Sequence, residues 1–248
     1  MAEPLLSMSN VCKHYGPVVA LTGIDFDVFP HEVVGLAGDN GAGKSTLMKI
    51  LAGAVRPSSG TITLHGKPET FNSPAHAIDL GIRMLYQDLA VAGNIDVVGN
   101  VFLGRELTRR VFGLFNVIDE KRMEAEAREA LSRVKINIGS LRSEVENLSG
   151  GQRQAVAIAR AIASQASVII MDEPTAALGV TEGGQVIELI KDLKRQGTAV
   201  VFVSHRLDDI CEVCDRVVVL KGGRRVATRD IANTSREDLR RLIVEGTL

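Results

Sequence analysis

Nine consecutive residues leave this chain little choice of fold around them: Gly38-Asp39-Asn40-Gly41-Ala42-Gly43-Lys44-Ser45-Thr46. They fit the pattern G-x-x-x-x-G-K-[ST] throughout, and the setting is as telling as the letters. VVGLAG (33–38) is a short apolar run with the character of a buried strand, and KSTLMKILA (44–52) reads as a helix ended by Gly53. A strand that turns through glycines into a helix makes a phosphate cradle. The glycines let amide N–H groups point inward, the helix N-terminus adds partial positive charge, and Lys44 reaches the β- and γ-phosphates of a nucleotide. Gly38 to Thr46 are therefore the expected nucleotide-binding residues, with the Ser45 hydroxyl directed to Mg2+.

A second apolar run ends in acid. In VIIMDEPTAALGV (168–180) four apolar residues lead into Asp172 and Glu173, and Pro174 stops the strand. Carboxylates at the mouth of a buried strand are costly unless something positive meets them. Beside a phosphate cradle they acquire a purpose. Asp172 is expected to hold Mg2+, and Glu173 to orient the attacking water or accept its proton. The cradle alone does not define an activity, because unrelated NTPases share it.

The remaining pattern is α/β. LLSMSNV (5–11) and IDFDVF (24–29) alternate like strands, and a turn at 57–60 leads into TITLHG. Beyond 166 the order is strand, helix, strand, helix, strand, which predicts a parallel sheet with crossover helices. Between them, MEAEAREALSRV (123–134) and QRQAVAIARAIAS carry helical spacing. The tail SREDLRRLIVEG opens with a serine cap and an acidic first turn, so a terminal helix is expected. We therefore expect one domain, with residues of about 1–93 and 166–248 forming the core and its β subdomain. Residues of about 94–165 are expected as an inserted helical subdomain.

Composition narrows the partners. A net charge of −1, no Trp and two Tyr give no basic or base-stacking surface, so nucleic acid is not expected. No apolar run approaches the roughly 18 to 20 residues of a membrane helix. MAEPLLSMSN lacks the basic start and long apolar core of a secretory signal, and a reducing cytosol is expected for the three cysteines. Cys211 and Cys214 form a C-x-x-C without a second pair, which favours two half-buried helix residues over zinc ligands.

Leu148-Ser149-Gly150-Gly151-Gln152 narrows the function. A serine hydroxyl and two glycine amides at a helix start make a second anion site. With this pentad between the phosphate loop and the acidic strand, the chain resembles the ATP-binding cassette (ABC) ATPases, whose signature is LSGGQ. The resemblance spans essentially all 248 residues. It implies an α/β P-loop NTPase fold with a mostly parallel sheet core, an N-terminal antiparallel β subdomain and an inserted helical subdomain. It also implies ATP and Mg2+ as ligands. By the same resemblance Tyr15 in KHYGPVVAL stacks on adenine, and Gln87 in MLYQD senses Mg2+ and the attacking water. His205 in VFVSHRL contacts the γ-phosphate, and Ser149, Gly150, Gly151 and Gln152 close over the nucleotide of a second cassette. A homodimer is implied, transient until ATP binds.

In this family transport is completed by separate integral membrane permease subunits, and residues 88–104 after Gln87 are the expected docking surface. The implied location is the cytoplasmic face of the bacterial inner membrane. YQDLAVAGNIDVVGNVFLGRE and DEPTAALGV are similar to bacterial monosaccharide importers of the ribose, xylose and fructose type, and the single cassette resembles the fructose-type members. A sugar-binding protein would then be an indirect partner. An importer of another solute, such as amino acids, and a soluble ABC ATPase are the alternatives. One position departs from the family: the aspartate usual after Ala-Leu is Gly179, which implies weaker coupling between the two nucleotide sites.

Overall fold

The apolar runs of the sequence become strands buried on both faces. The computed structural model describes residues 3–86, 90–111, 114–134, 137–176 and 178–247. The first elements are β1 (Leu6–Tyr15), β2 (Val18–Val28), β3 (Val33–Ala37), α1 (Lys44–Leu51), β4 (Ser59–Leu64), β5 (Lys67–Glu69), α2 (Pro74–Asp79) and β6 (Ile82–Leu85). Then come α3 (Val97–Phe102), β7 (Thr108–Val111), β8 (Phe115–Ile118), α4 (Glu120–Val134) and α5 (Gly150–Ala163). The last part holds β9 (Val168–Asp172), α6 (Val180–Arg195), β10 (Ala199–Val203), α7 (Leu207–Val213), β11 (Arg216–Lys221), β12 (Arg224–Asp230) and α8 (Arg236–Val244). The chain divides into two compact units, one of Met1–Met84, Ser167–Glu173 and Ile190–Leu248, the other of Leu85–Ala166 and Pro174–Leu189.

The first unit carries two sheets. One is antiparallel in the order β2-β1-β4-β5; the other is six-stranded in the order β12-β11-β3-β10-β9-β6. β11, β3, β10 and β9 run parallel, and only the β12 edge is added antiparallel among the registers seen. All five residues of β3 and of β10 are buried, as parallel strands covered on both faces require. Val203 pairs with both Leu36 and Asp172, so β3, β10 and β9 end together at their carboxyl edge. That edge is where an open α/β sheet presents its loops to a ligand. Cys214, at the end of α7, packs its thiol toward Gly35 of β3, and burial pushes that thiol well above the ordinary cysteine range. A buried, protonated thiol is a packing residue.

An ion pair joins segments distant in sequence. Glu32, just before β3, accepts from Arg216 Nε at 2.6 Å and from the Phe29 amide at 2.9 Å. The same guanidinium donates to the Asp27 carbonyl and lies 5.5 Å from the Phe29 ring centroid. Both side chains are largely buried.

The second unit packs α3, α4 and α5 together. Asn100, fully buried, organises the segment before it: its amide donates to Ala92, Ile95 and Asp96 carbonyls, and its Oδ1 accepts from the Ala92 amide. Arg160 of α5 adds bonds to the carbonyls of Asn100 and Ala90. Val97, Val98, Val101 and Phe102 are buried, so the apolar character of the expected docking segment is mostly core. The helical reading of 94–165 also missed β7 and β8, which pair as a hairpin.

Removing one partner of a buried ion pair strands the other. Glu32→Ala is therefore expected to lower unfolding free energy by about 3 kcal/mol in urea titrations, whereas a surface pair such as Arg122–Glu126 should contribute under about 1 kcal/mol.

Candidate functional site

The loop after β3 is shaped by what stands behind it. Gly38 has φ +149, and a side chain there would collide with the Leu220 carbonyl at the end of β11. Gly43, the N-cap of α1, has φ +105, and a Cβ would lie 2.6 Å from Leu21 Cδ2. Glycine is thus demanded at both ends of the loop by backbone angle and by space. Gly223, in the turn between β11 and β12, donates to the Ala42 carbonyl and accepts from the Thr22 amide, buttressing the loop from outside. Asp39, Asn40 and Gly41 are exposed at the loop's crest, and Ala42 is buried beneath it. Lys44 bends back so that Nζ donates to the Gly38 carbonyl at 2.6 Å and the Asp39 carbonyl at 3.0 Å. Burial holds its pKa below the ordinary lysine range, opposed by the charges of Glu173, Asp39 and Asp172. Ser45 is exposed at the first turn of α1, next to the half-buried Thr46.

Asp172 and Glu173 close β9 on the same edge. Burial pushes the Asp172 carboxyl above its ordinary range, Glu173 pushes it further, and Lys44 only partly offsets both. Glu173 sits at φ +52, a left-handed conformation rare for a residue with a side chain, held by its amide bond to the Val203 carbonyl. Its Oε2 is buried without a hydrogen-bond donor. His205 Nδ1 stands 2.6 Å from that oxygen, an ion-pair approach rather than a hydrogen-bonding direction. The His205 side chain is largely solvent-exposed. A strained backbone, an orphaned buried oxygen and an under-neutralised acid together describe a site shaped for something it binds.

The donor set is sparse. Among the described residues no group of three or more His, Cys, Asp and Glu converges on a metal position. One carboxylate and one hydroxyl suit Mg2+, which keeps waters and binds through phosphates rather than in a protein cage. Tyr15 is half exposed at the end of β1 with Lys13 Nζ 5.0 Å from its ring centroid. β1 neighbours β2, whose Ala20 and Leu21 line Gly43. Gln87 lies outside the described residues.

Ser149 to Gln152 belong to the second unit. Ser149 caps α5, accepting from the Gln152 amide at 3.2 Å, and the Gln152 side chain returns a bond to the Ser149 amide at 3.0 Å. This capping box engages both side chains at the start of α5, with Gly150 and Gly151 between them. The sequence reading missed a neighbour: Glu182 lies against Gly151, where a Cβ would fall 2.6 Å from Glu182 Oε1. Glu182 also accepts from the Gly179 amide at 3.3 Å, while the Gly179 carbonyl starts the bonding of α6. Gly179 is thus the N-cap of α6 with half of a capping box, and the glutamate three residues on was its sequence signal.

The profile described as ABC transporter matches residues 21–176. The chain is 46% identical to the fructose import ATP-binding protein FrcA of Rhizobium meliloti, over 90% of this chain and 87% of the relative. It is 42% identical to the xylose/arabinose import ATP-binding protein XylG of Sulfolobus acidocaldarius, over 98% and 95%. It is 44% identical to the ribose import ATP-binding protein RbsA 1 of Rubrobacter xylanophilus, over 98% of this chain but 47% of that protein. In structure it is similar to a nucleotide-free ATP-binding cassette from an ABC transporter, with TM-score 0.82 at 24% identity over 98% of this chain and 96% of the other. It is also similar to a dimeric post-hydrolysis cassette bound to ADP and Pi, with TM-score 0.77 at 25% identity over 91% and 98%.

The charge imbalance at Asp172 has a measurable consequence. A carboxyl whose folded pKa is raised destabilises the fold while ionised, above that pKa, and the penalty is relieved as pH falls through it. Asp172→Asn removes the penalty at every pH. The nucleotide-free variant is expected to melt on the order of 2 °C higher at neutral pH, with the two Tm values converging as pH falls into the carboxylate range. A lower Tm for the variant at neutral pH contradicts this reading.

Proposed function

The chain belongs to the ABC transporter family, and on that premise we propose that it is the ATP-binding and ATP-hydrolysing subunit of an importer for a carbohydrate, a monosaccharide in particular. The observation that carries the enzymatic part is the gathering of Lys44, Asp172, Glu173 and His205 on one sheet edge, with Glu173 Oε2 buried and lacking a donor. The substrate class is supported by relatives named for fructose, xylose/arabinose and ribose import.

In this reading the amides of the Gly38–Gly43 loop and the N-terminus of α1 bind the β- and γ-phosphates, and Lys44 exchanges its two carbonyl partners for phosphate oxygens. Tyr15 stacks on the adenine. Ser45 and Asp172, with Gln87 by the family resemblance, would hold Mg2+, which would supply charge neutralisation on the phosphates. Glu173 orients the attacking water through its orphaned oxygen and takes up its proton, while His205 holds Glu173 and contacts the γ-phosphate. Ser149, Gly150, Gly151 and Gln152 cover the nucleotide of a second copy of the chain, so that ATP favours the closed dimer. Gly179 supplies no carboxylate at that interface, and weaker coupling between the two sites follows.

The cassette is one domain, its core within about 1–93 and 166–248 and its helical subdomain within about 94–165. Among the described residues no helix is long and apolar enough to cross a membrane. On the family reading, import rests on permease subunits, fed by a sugar-binding protein, with this chain at the cytoplasmic face of the inner membrane.

Glu173→Gln keeps the shape of the side chain and removes the base. Phosphate release is expected to fall at least about 100-fold, while ATP binding persists and the chain sediments as an ATP-bound dimer. Turnover at the unaltered rate would sink the role given to Glu173.

A further inference from the structure

The Tyr15 ring is not left to find its own orientation. Lys13, two residues earlier on β1, is half-buried, and its Nζ stands over the ring at 5.0 Å from the centroid. An ammonium on a flexible four-carbon stem leaves such a place for water unless something holds it there. The carbonyl of Arg56 does so, accepting from Lys13 Nζ at 2.8 Å. The cation thus has two contacts, a π face and a carbonyl dipole, and each holds it to the other. The ring itself stays 45% exposed, covered on one side and open beyond it.

Arg56 is a telling anchor. It lies shortly beyond α1, the helix that the phosphate loop opens. The turn it belongs to is tied to the same stretch of β1 twice more. The Ser58 amide donates to the Cys12 carbonyl at 2.8 Å, and the His14 amide donates to Ser58 Oγ at 3.0 Å. From the outer side the Arg56 guanidinium donates to Asn72 Oδ1 at 2.8 Å. A nucleotide joins its base to its phosphates through a ribose of limited reach, so a site that holds both must fix the distance between the two platforms. Lys13 is where these platforms meet. It touches the tyrosine ring and, through Arg56, the chain that leaves the phosphate helix.

We propose that Lys13 is a positioning residue for nucleotide binding: it holds the Tyr15 ring, from the face opposite the base, in the orientation on which adenine stacks. This rests on the reading that Tyr15 stacks on adenine. Two effects follow from the geometry. The ring is ordered before the nucleotide arrives, so less side-chain freedom is lost on binding. The cation also confines the base to the uncovered face. Neither effect involves the phosphates, which separates Lys13 from Lys44.

Equilibrium titrations of the full chain in Mg2+ test this with two probes, ATP and inorganic tripolyphosphate, which carries the charges without a base. Lys13→Met keeps the stem and removes the cation. It should weaken ATP binding about fivefold and leave tripolyphosphate binding unchanged, while Lys13→Arg should restore ATP to within about twofold of the unaltered chain. Lys13→Gln should behave as Lys13→Met does, so a folding defect peculiar to one variant is recognisable. In a Tyr15→Ala background Lys13→Met should cost nothing further. The chain has no Trp and two Tyr, so Tyr86→Phe leaves Tyr15 as the one tyrosine, and its fluorescence reports the stack: ATP should quench it and tripolyphosphate should not. Unaltered ATP affinity in Lys13→Met overturns the proposal. So does an equal loss for tripolyphosphate, which would make Lys13 a phosphate contact. A full Lys13→Met effect without the Tyr15 ring also overturns it, since Lys13 would then brace the Arg56 turn alone. ATP binding indifferent to Tyr15→Ala would instead remove the adenine reading, and the proposal with it.

Discussion

The structure turns on the passage of β3 into α1 beneath the carbonyl of Leu220. Gly38 can make that passage because it has no side chain to meet the carbonyl, and Gly43 can cap α1 because Leu21 fills the space a Cβ needs. The loop is thereby pressed between β11 on one side and β2 on the other, with Gly223 bonded across its back. Within it the Ala42 amide bonds the Asp39 carbonyl, which tightens the turn. Lys44 Nζ donates back to the carbonyls of Gly38 and Asp39 in the same loop. Because β3, β10 and β9 end in register, Asp172, Glu173 and His205 are delivered to the same edge, and their charges do not balance. The fold carries this imbalance because the apolar bodies of the strands are buried elsewhere in a continuous core.

How much of this could be read beforehand depended on how local each constraint is. The phosphate loop and the signature were legible because each is a short stretch whose geometry is set by its own glycines and caps. The strands ending in Asp172 and Val203 were legible because fully buried strands are apolar without interruption. The Glu32–Arg216 pair was not, since its partners are 184 positions apart and nothing in either segment names the other. The β7–β8 hairpin was missed for the opposite reason. With neither face buried, it has no alternation of apolar and polar residues to betray a strand. The apolar residues of 88–104 were compatible with a docking surface or with core, and Val97, Val98, Val101 and Phe102 are buried.

At Gly179, where the chain departs from the family pattern, the backbone still caps α6. Read alone, it was a missing carboxylate. In the structure it is the N-cap of α6, and Glu182, one turn on, supplies a carboxylate to its amide while lying against Gly151 at the start of α5. An acid is therefore present beside the signature helix, displaced by three residues and held within its own unit.

The account stands on the claim that the loop around Lys44 and the acid Asp172 form one site completed by a magnesium nucleotide. Thermal unfolding of the full chain with ATP and Mg2+, with ATP and a chelator, and with neither measures this most directly. Saturating ATP with Mg2+ should raise Tm by about 5 °C or more, chelation should remove most of the gain, and Lys44→Ala should remove nearly all of it. An equal rise in the Lys44→Ala variant, or one indifferent to Mg2+, would contradict the account.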